Sequence, residues 1–548
     1  MINHRSNSKN FMVHPMYYHP TTNYCKDTKM RRLFARPIFK SLVFVTIFSN
    51  LSCTQVYAEN WHANGTGRYP DAKPPIEWCA IPGSASKNVI WNRPLPSWSN
   101  SSPLIMGDRV FVCGEPTAIS WPSGEPTSRK CLNLVDANDR CQRYLPCWRE
   151  PTSLICLNLA DGSILWQREL ELIDTLSANE KAELAKVREQ DGPILKSIDE
   201  LIKQRGILEK EVVSADRRKE VDEKIKNVRA EIANIEKQNE ALLKVSRNYT
   251  KRLTPGWFHG GTGLSTPSPV SDGKYVYVLY GNGIVAAYDR DGNRKWMRFI
   301  GRTTGHYGQV ASPVVVGDRV IVHLTGISAL NTETGETVWH IDAPRETGHN
   351  SPIQMRIGAT DVIVMSYGEV VAVRDGRKCS FVGFPPFKSY WNSPVVENDT
   401  AYFNWSQQSW AGRVSLSPEG EIKTTILLKY PNNNSGDSLY ATPVVLDGLL
   451  YTLQMGGTFT VYDNSTGQPV YKQQLTPGGS ESWYPSLVAV GGYIYAGHNN
   501  GTTVVIKAGR EFKEVAQNRT DPYQSTLVFH NNRIYIRTMK GVLCIGEK

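Results

Sequence analysis

The feature that most constrains this chain is a unit that repeats, seen most clearly at 311–343, ASPVVVGDRVIVHLTGISALNTETGETVWHIDA. Ser312-Pro313 opens an apolar run, Val314-Val315-Val316; a Gly317-Asp318 turn leads into the alternating stretch Val320-Ile321-Val322. Ile327-Ser328-Ala329-Leu330, a Thr334-Gly335 turn and Val338-Trp339 complete it. Four short β-branched runs punctuated by Gly and Asp describe a four-stranded antiparallel unit. One such sheet cannot bury both faces alone, so copies of it must stack.

The Ser or Thr that opens each first strand recurs as Ser102, Ser268, Ser312, Ser351, Ser393, Thr442, Ser486 and Thr526. After a first gap that holds two inserts, the steps are 44, 39, 42, 49, 44 and 40 residues. That is the period of a β-propeller blade. A Trp marks the last strand at Trp166, Trp296 and Trp339, with Tyr471 in its place in the sixth unit; the fourth, fifth and seventh units lack it. The eighth unit stops at Lys548 after Val542-Leu543-Cys544-Ile545, one strand short. An orphan strand at 89–95, with Val89-Ile90-Trp91 resembling Val338-Trp339, supplies the missing one. Closure in this way removes the free edges of an open array. The expected fold is all-β: an eight-bladed β-propeller closed by an N-terminal strand, with an inserted α-helical hairpin.

Four segments follow: a leader at 1–58, a closing strand and first blade with a Cys-rich insert at 59–170, a helical insert at 171–254, and the remaining blades at 255–548. Residues 174–248 are rich in Glu, Lys, Leu and Ile and almost free of Gly and aromatics. Ser177 and Glu180 form a capping box, and Asp191-Gly192-Pro193 predicts a break in the helix. Ile194, Ile198, Leu201, Leu208 and Val212 keep heptad spacing, with Arg205 at the missing position. Val221, Ile225, Val228, Ile232, Ile235 and Leu242 keep it again, so two coiled-coil-like helices joined near 214–216 predict an antiparallel hairpin. Such an arm serves either as a spacer packed on itself or as a partner-binding surface.

The formal net charge of +10 does not point to nucleic acid. The first 58 residues hold eight Lys/Arg and one Asp, so only +3 remains for the rest, without a basic stripe outside the helical insert. The leader reads as a signal peptide: Arg31, Arg32, Arg36 and Lys40 precede an apolar core at 41–49, and Val56-Tyr57-Ala58 offers a cleavage site. Met30 is an alternative start. A second reading places lipid on Cys53 after Leu51-Ser52, and membrane contact is expected only in that case. No later stretch approaches the ~20 apolar residues of a membrane span. The expected location is therefore exported, periplasmic or extracellular.

Ten cysteines fit export. Five of them, Cys113, Cys131, Cys141, Cys147 and Cys156, crowd one insert, and with Cys79 they are candidates for disulfides in an oxidising compartment. Their gaps of 18, 10, 6 and 9 contain no CxxC pair and no His, which argues against zinc. No metal site is expected.

The motif [Ser/Thr]-Pro-Val-Val-x-Gly-Asp, followed by Thr-Gly-x-x-x-Trp, resembles the pyrroloquinoline-quinone-like (PQQ-like) propeller repeat over roughly 89–170 and 255–548. Quinoprotein alcohol dehydrogenases with PQQ and calcium share that repeat, as does the scaffold lipoprotein of the outer-membrane β-barrel assembly machine. The opening Trp61-His-Ala-Asn64-Gly-Thr-Gly67 and Asn100-Ser-Ser-Pro look closest to exported PQQ-like repeat proteins. The dehydrogenase reading implies a catalytic Asp, an acidic and an amide calcium ligand, and often a vicinal disulfide. This chain has no adjacent Cys pair, and its Asp residues fall mainly at turns (Asp108, Asp289, Asp291, Asp318, Asp447). Asp289-Arg-Asp291-Gly-Asn293 lacks the later Gly and Glu of a calcium loop and reads as a hairpin. No GxSxG, HExxH or P-loop is present. The expected function is a non-catalytic exported scaffold that binds a protein, small-molecule or carbohydrate ligand without a cofactor, in cell-envelope assembly; a PQQ-dependent dehydrogenase is the alternative. Residues just before each first strand should converge on the funnel mouth: Trp98, His259, His306, His349, Trp391, Tyr440, Trp483 and Tyr523. Aromatics there suit ligand recognition, though bulky residues at that place also serve as packing.

Overall fold

In the computed structural model, residues 58–547 are described except 82, 116–150, 211–214, 254–261, 302–308, 325, 343–348, 384–390, 405–408, 432–438 and 478–481. Eight sheets follow one another along the chain and make eight blades: 104–170, 270–299, 314–342, 353–380, 395–429, 444–474, 488–519 and 528–545. Neighbouring first strands touch, which places them around the axis. Strand β3 (Val89–Pro94) is the outermost strand of blade 8, paired antiparallel with Gly541–Ile545 through Trp91↔Cys544 and Arg93↔Val542. The expected ring closure is thus present.

The repeated Ser/Thr earns its place by hydrogen bonding around the axis. Ser102 donates its backbone N–H to the Ser268 hydroxyl at 2.8 Å, Ser268 to Ser312 at 3.0 Å, Ser312 to Ser351 at 2.9 Å and Ser351 to Ser393 at 2.8 Å. Ser393 continues to Thr442 at 3.3 Å, Ser486 to Thr526 at 3.2 Å, and Thr526 returns to Ser102 at 2.9 Å. At the remaining junction Leu487 donates its N–H to the Thr442 carbonyl at 3.0 Å. A small hydroxyl residue is needed because a buried backbone N–H left without a partner costs about 1–3 kcal/mol.

A second device locks the blades at their outer edges. In blades 1, 2, 3, 5, 6, 7 and 8 the pairing of the last strand slips by one residue. Such a bulge bends the strand and leaves one residue unpaired. Leu165, Val338 and Leu427 are three of these extra residues, which is why these apolar side chains are exposed. The bulge aims the following ring at the next blade. Trp91 Nε1 donates to the Leu159 carbonyl at 3.2 Å, Trp166 to Arg290 at 3.1 Å, Trp296 to Thr332 at 2.8 Å and Trp339 to Val373 at 2.9 Å. Each indole covers a turn glycine with positive φ, namely Gly162, Gly292, Gly335 and Gly376, where a Cβ would collide with the ring. Arg93 and Arg168 add Nε donations to the Gly162 and Gly292 carbonyls, both at 2.8 Å.

The N-terminal segment crosses the ring before it closes it. Strand β1 (Ala58–Glu59) pairs with the innermost strand of blade 1, and β2 (Arg68–Tyr69) pairs in parallel with the innermost strand of blade 7. Between them Asn60 exchanges hydrogen bonds with Ser271 of blade 2, and buried His62 holds the Leu487 carbonyl through Nε2 at 2.9 Å. His62, Ala63 and Asn64 take left-handed conformations, with φ of 52, 46 and 56°. For L-residues that conformation costs roughly 1–2 kcal/mol each. Tyr69 and Trp78 then pack between blades 7 and 8 against Phe529 and Tyr495.

The insert contains helices α1 (Ala178–Lys210), α2 (Ala215–Gln238) and α3 (Glu240–Leu253). Ser177 and Glu180 form the expected capping box, with Ser177 N–H to Glu180 Oε2 at 2.7 Å. The expected break at Asp191-Gly192-Pro193 does not occur; α1 runs through Pro193. Both flanks are held in line: Asp191 is buried and bonded to Ser246 of α3, while Ile198 and Ile202 pack on Val228 and Ile232 of α2. The heptad residues Ile194, Leu201, Leu208 and Ile235 border the same cluster, and Val212 lies outside the described residues. Asn239 interrupts the last helix pair, so Leu243 rather than Leu242 is buried. The base of the arm is welded to the ring: Leu172, Leu176, Leu184 and Tyr249 share a core with Phe111, Cys156 and Tyr288 of blades 1 and 2.

Candidate functional site

The first strands enter the axis from one side, and a strand turns alternate side chains to the same face. Counting two residues back from the hydroxyl ring therefore gives a second ring: Asn100, Thr266, Val310, His349, Trp391, Tyr440, Tyr484 and Gln524. All eight line a cavity of about 280 Å³ on the axis, together with all eight members of the hydroxyl ring and Trp61 from the crossing segment. The first strands run from the second ring, past the hydroxyls, towards that segment.

Four of the eight make a continuous aromatic arc on blades 4 to 7. His349 and Trp391 have ring centres 5.0 Å apart, Trp391 and Tyr440 6.0 Å, and Tyr440 and Tyr484 4.9 Å, the last pair stacked with an interplanar angle of 25°. The opposite arc carries the amides Gln524 and Asn100 and the hydroxyl of Thr266. Burial pushes the His349 imidazole down to about 4, so it is neutral at physiological pH. The described lining contains no Asp, Glu, Lys, Arg or Cys.

His349, Trp391 and Tyr440 thus stand where the sequence placed them. Trp98, Trp483 and Tyr523 do not. Trp98 is buried beside Glu115, with which it shares a two-strand bridge. Trp483 is 1 % exposed and meets His498 edge-on at 4.8 Å. Tyr523 is fully buried, its hydroxyl bonded to Thr503 at 2.5 Å. Each sits at odd or longer spacing from its Ser/Thr, and Tyr484, Gln524 and Asn100 take the channel instead. The period-2 rule applied to the Ser/Thr position would have found them. His259 and His306 lie outside the described residues.

Cys79, Cys113 and Cys156 are free thiols; Cys131, Cys141 and Cys147 lie outside the described residues. Cys113 faces Leu154 and Cys156 faces Phe111, a diagonal register. Burial raises both thiols to about 12, so neither is a nucleophile. Asp289 forms the expected hairpin: its carboxylate accepts from the N–H groups of Asp291 and Asn293 at 3.0 and 2.9 Å and pairs with Lys295 at 2.8 Å. Among the described residues no group of three His, Cys, Asp or Glu is placed to hold a metal ion.

The described lining lacks the donors that PQQ with calcium calls for. Calcium calls for carboxylate and carbonyl oxygens, and the quinone's own carboxylates call for cations. The described donors are hydroxyls, amides and a neutral imidazole.

No curated protein matches the sequence. Among solved structures, BamB from Moraxella catarrhalis is 17% identical, with a TM-score of 0.40 over 53% of this chain and 83% of that one. The computationally designed Ika8 protein is 13% identical, with a TM-score of 0.34 over 53% and 99%. The RRP9 WD40 repeats are 10% identical, with a TM-score of 0.37 over 52% and 95%. The fold is read from the strand order, not from these likenesses. Residues 259–380 match the family model described as outer membrane protein assembly factor BamB. The chain is thus an eight-bladed β-propeller whose blades 2 to 4 are similar to the PQQ-like repeat of that family model.

Proposed function

We propose that this protein is a non-catalytic, exported scaffold of the cell envelope that takes a ligand at its channel mouth and a protein partner on its surface. The observation that carries this reading is the aromatic lining of the channel, in which no described residue is a carboxylate, an amine, a guanidinium or a thiol. The match of 259–380 to an outer membrane assembly factor supports the envelope setting. The signal-like leader within 1–58 supports export. The distal arm packs on itself and projects from blades 1 and 2 as surface for a partner.

The dehydrogenase alternative is tested by adding PQQ and calcium to the mature protein. A ligand at 100 times its dissociation constant would stabilise the fold by about 2.7 kcal/mol, visible in a melt. The expected outcome is no shift and no dye-linked alcohol oxidation; saturable PQQ binding with turnover would end the scaffold reading. Non-reducing mass mapping tests export independently: a disulfide among Cys131, Cys141 and Cys147 supports an oxidising compartment, and all three reduced in protein taken from the envelope speaks against it.

A further inference from the structure

We infer that the channel mouth is a binding site for one neutral sugar residue, whether a free monosaccharide or the terminal unit of an uncharged glycan. The inference rests on the scaffold reading of the same channel and names its ligand.

The two arcs of the mouth differ in chemistry, and a pyranose differs in the same way between its faces. Its axial C–H groups present an apolar face that stacks on aromatic rings. Its hydroxyls, around the edge, both donate and accept. The arc from His349 through Trp391 and Tyr440 to Tyr484 supplies the rings, spaced 4.9 to 6.0 Å apart. Across the cavity Gln524 and Asn100 supply amides, and the Thr266 hydroxyl, whose proton goes to the Thr262 carbonyl, supplies an acceptor. Below them, seven of the eight Ser/Thr hydroxyls accept backbone N–H groups around the ring, which leaves their own protons to donate.

Charge among the described residues, and size, weigh against the competitors. An ionic ligand would enter a cavity whose described lining holds no counter-charge, at a heavy desolvation cost. A flat aromatic ligand would stack but leave the amide arc unpaired. An extended peptide does not fit: the cavity of about 280 Å³ lies at the small end of ligand pockets, and Trp61 forms its far wall.

The test is calorimetry with saturation-transfer NMR on the mature chain. The probes are the methyl glycosides of glucose, galactose, mannose and N-acetylglucosamine, their β-linked disaccharides, glucuronate and p-cresol. Saturable binding of at least one neutral glycoside is expected, with a dissociation constant of about 1 mM. Glucuronate should not bind. Trp391→Ala, Tyr484→Ala and Gln524→Leu should each weaken binding at least about tenfold, with melting curves showing that each variant is folded. Lys203→Ala, on the arm, should bind as the parent does. A site for free sugar takes the methyl glycoside as well as the disaccharide; a site for a glycan end takes the disaccharide more tightly. The sugar assignment falls if no neutral glycoside binds at about 50 mM, if only p-cresol or glucuronate binds, or if folded Trp391→Ala and Gln524→Leu both bind as the parent does. Those results would leave the scaffold reading standing, whereas PQQ turnover would remove both.

Discussion

Replacing Trp91 by Ala tests whether the N-terminal strand truly closes the ring. Trp91 is 8 % exposed although it lies on the outermost strand of its blade. Its indole covers Gly162 of blade 1, donates to the Leu159 carbonyl at 3.2 Å and meets Tyr535 with ring centres 6.0 Å apart. Truncating a buried Trp costs about 3–5 kcal/mol. The lost hydrogen bond belongs to that figure and is not added to it, because water reaches the freed carbonyl at the blade edge. Trp339 occupies the same position in blade 3 but is only half-buried, so Trp339→Ala should cost about half as much. Urea denaturation followed by intrinsic fluorescence would give both midpoints, with the slope checked for constancy. A loss below about 1 kcal/mol for Trp91→Ala, or a smaller loss than for Trp339→Ala, would refute the clamp.

Deleting 59–97 should remove both the last strand of blade 8 and the segment across the channel, giving aggregation or a large drop in melting temperature; unchanged melting would contradict the closure. His62 and His323 are fully buried, and burial lowers both from 6.5 to about 4. The unfolded chain therefore binds more protons between those values. Stability is complete above pH 6.5 and falls towards pH 4, by up to about 3 kcal/mol per histidine; His62→Gln, whose amide can still donate to the Leu487 carbonyl, should flatten part of that slope in denaturation midpoints. Replacing 195–241 with a short flexible loop should leave the melting of the ring unchanged, because Ile198, Ile202, Val228 and Ile232 pack on each other, whereas Leu184→Ala should cost about 2–5 kcal/mol. Ala63→Gly should be neutral or stabilising by about 1 kcal/mol through relief of the left-handed conformation, the reverse of its sign in a helix; a clear loss in melting would contradict the strain.

The blade count was legible because in seven of the eight units one hydroxyl accepts a backbone N–H of the neighbouring blade, so its spacing survives in the sequence. Closure was legible from Trp91 for a similar reason: an indole on an orphan strand needs a glycine turn in another blade to cover. The channel lining was half legible. His349, Trp391 and Tyr440 lie two residues before their Ser/Thr, but Trp483 and Tyr523 lie three before theirs and turn into the blades. Bulk drew attention to them, whereas strand parity decides which way a side chain points. The helix through Pro193 was not legible, since the contacts of Asp191 with Ser246 and of Ile198 with Val228 span long separations. The crossing at His62, Ala63 and Asn64 carries no local signal either. Nothing in those three residue types favours a left-handed run; the surrounding blades impose it.

The closing strand also dictates the order in which this molecule can be completed. Arg537 reaches the Ser97 carbonyl across 440 residues of sequence, and Thr526 meets Ser102 across 424. Strand β3 must therefore wait, unpaired, until residues 541–545 have been made. In a chain threaded through a membrane amino end first, blades 1 to 7 can form while the gate between blades 8 and 1 stands open. Contacts of such long separation form late and slowly. During that interval β3, with Trp91 uncovered, and the outer edge of Gly541–Ile545 are the sticky surfaces of the nascent protein. A chain cut before Gly541 would fail as an unfinished circle, with every other blade intact.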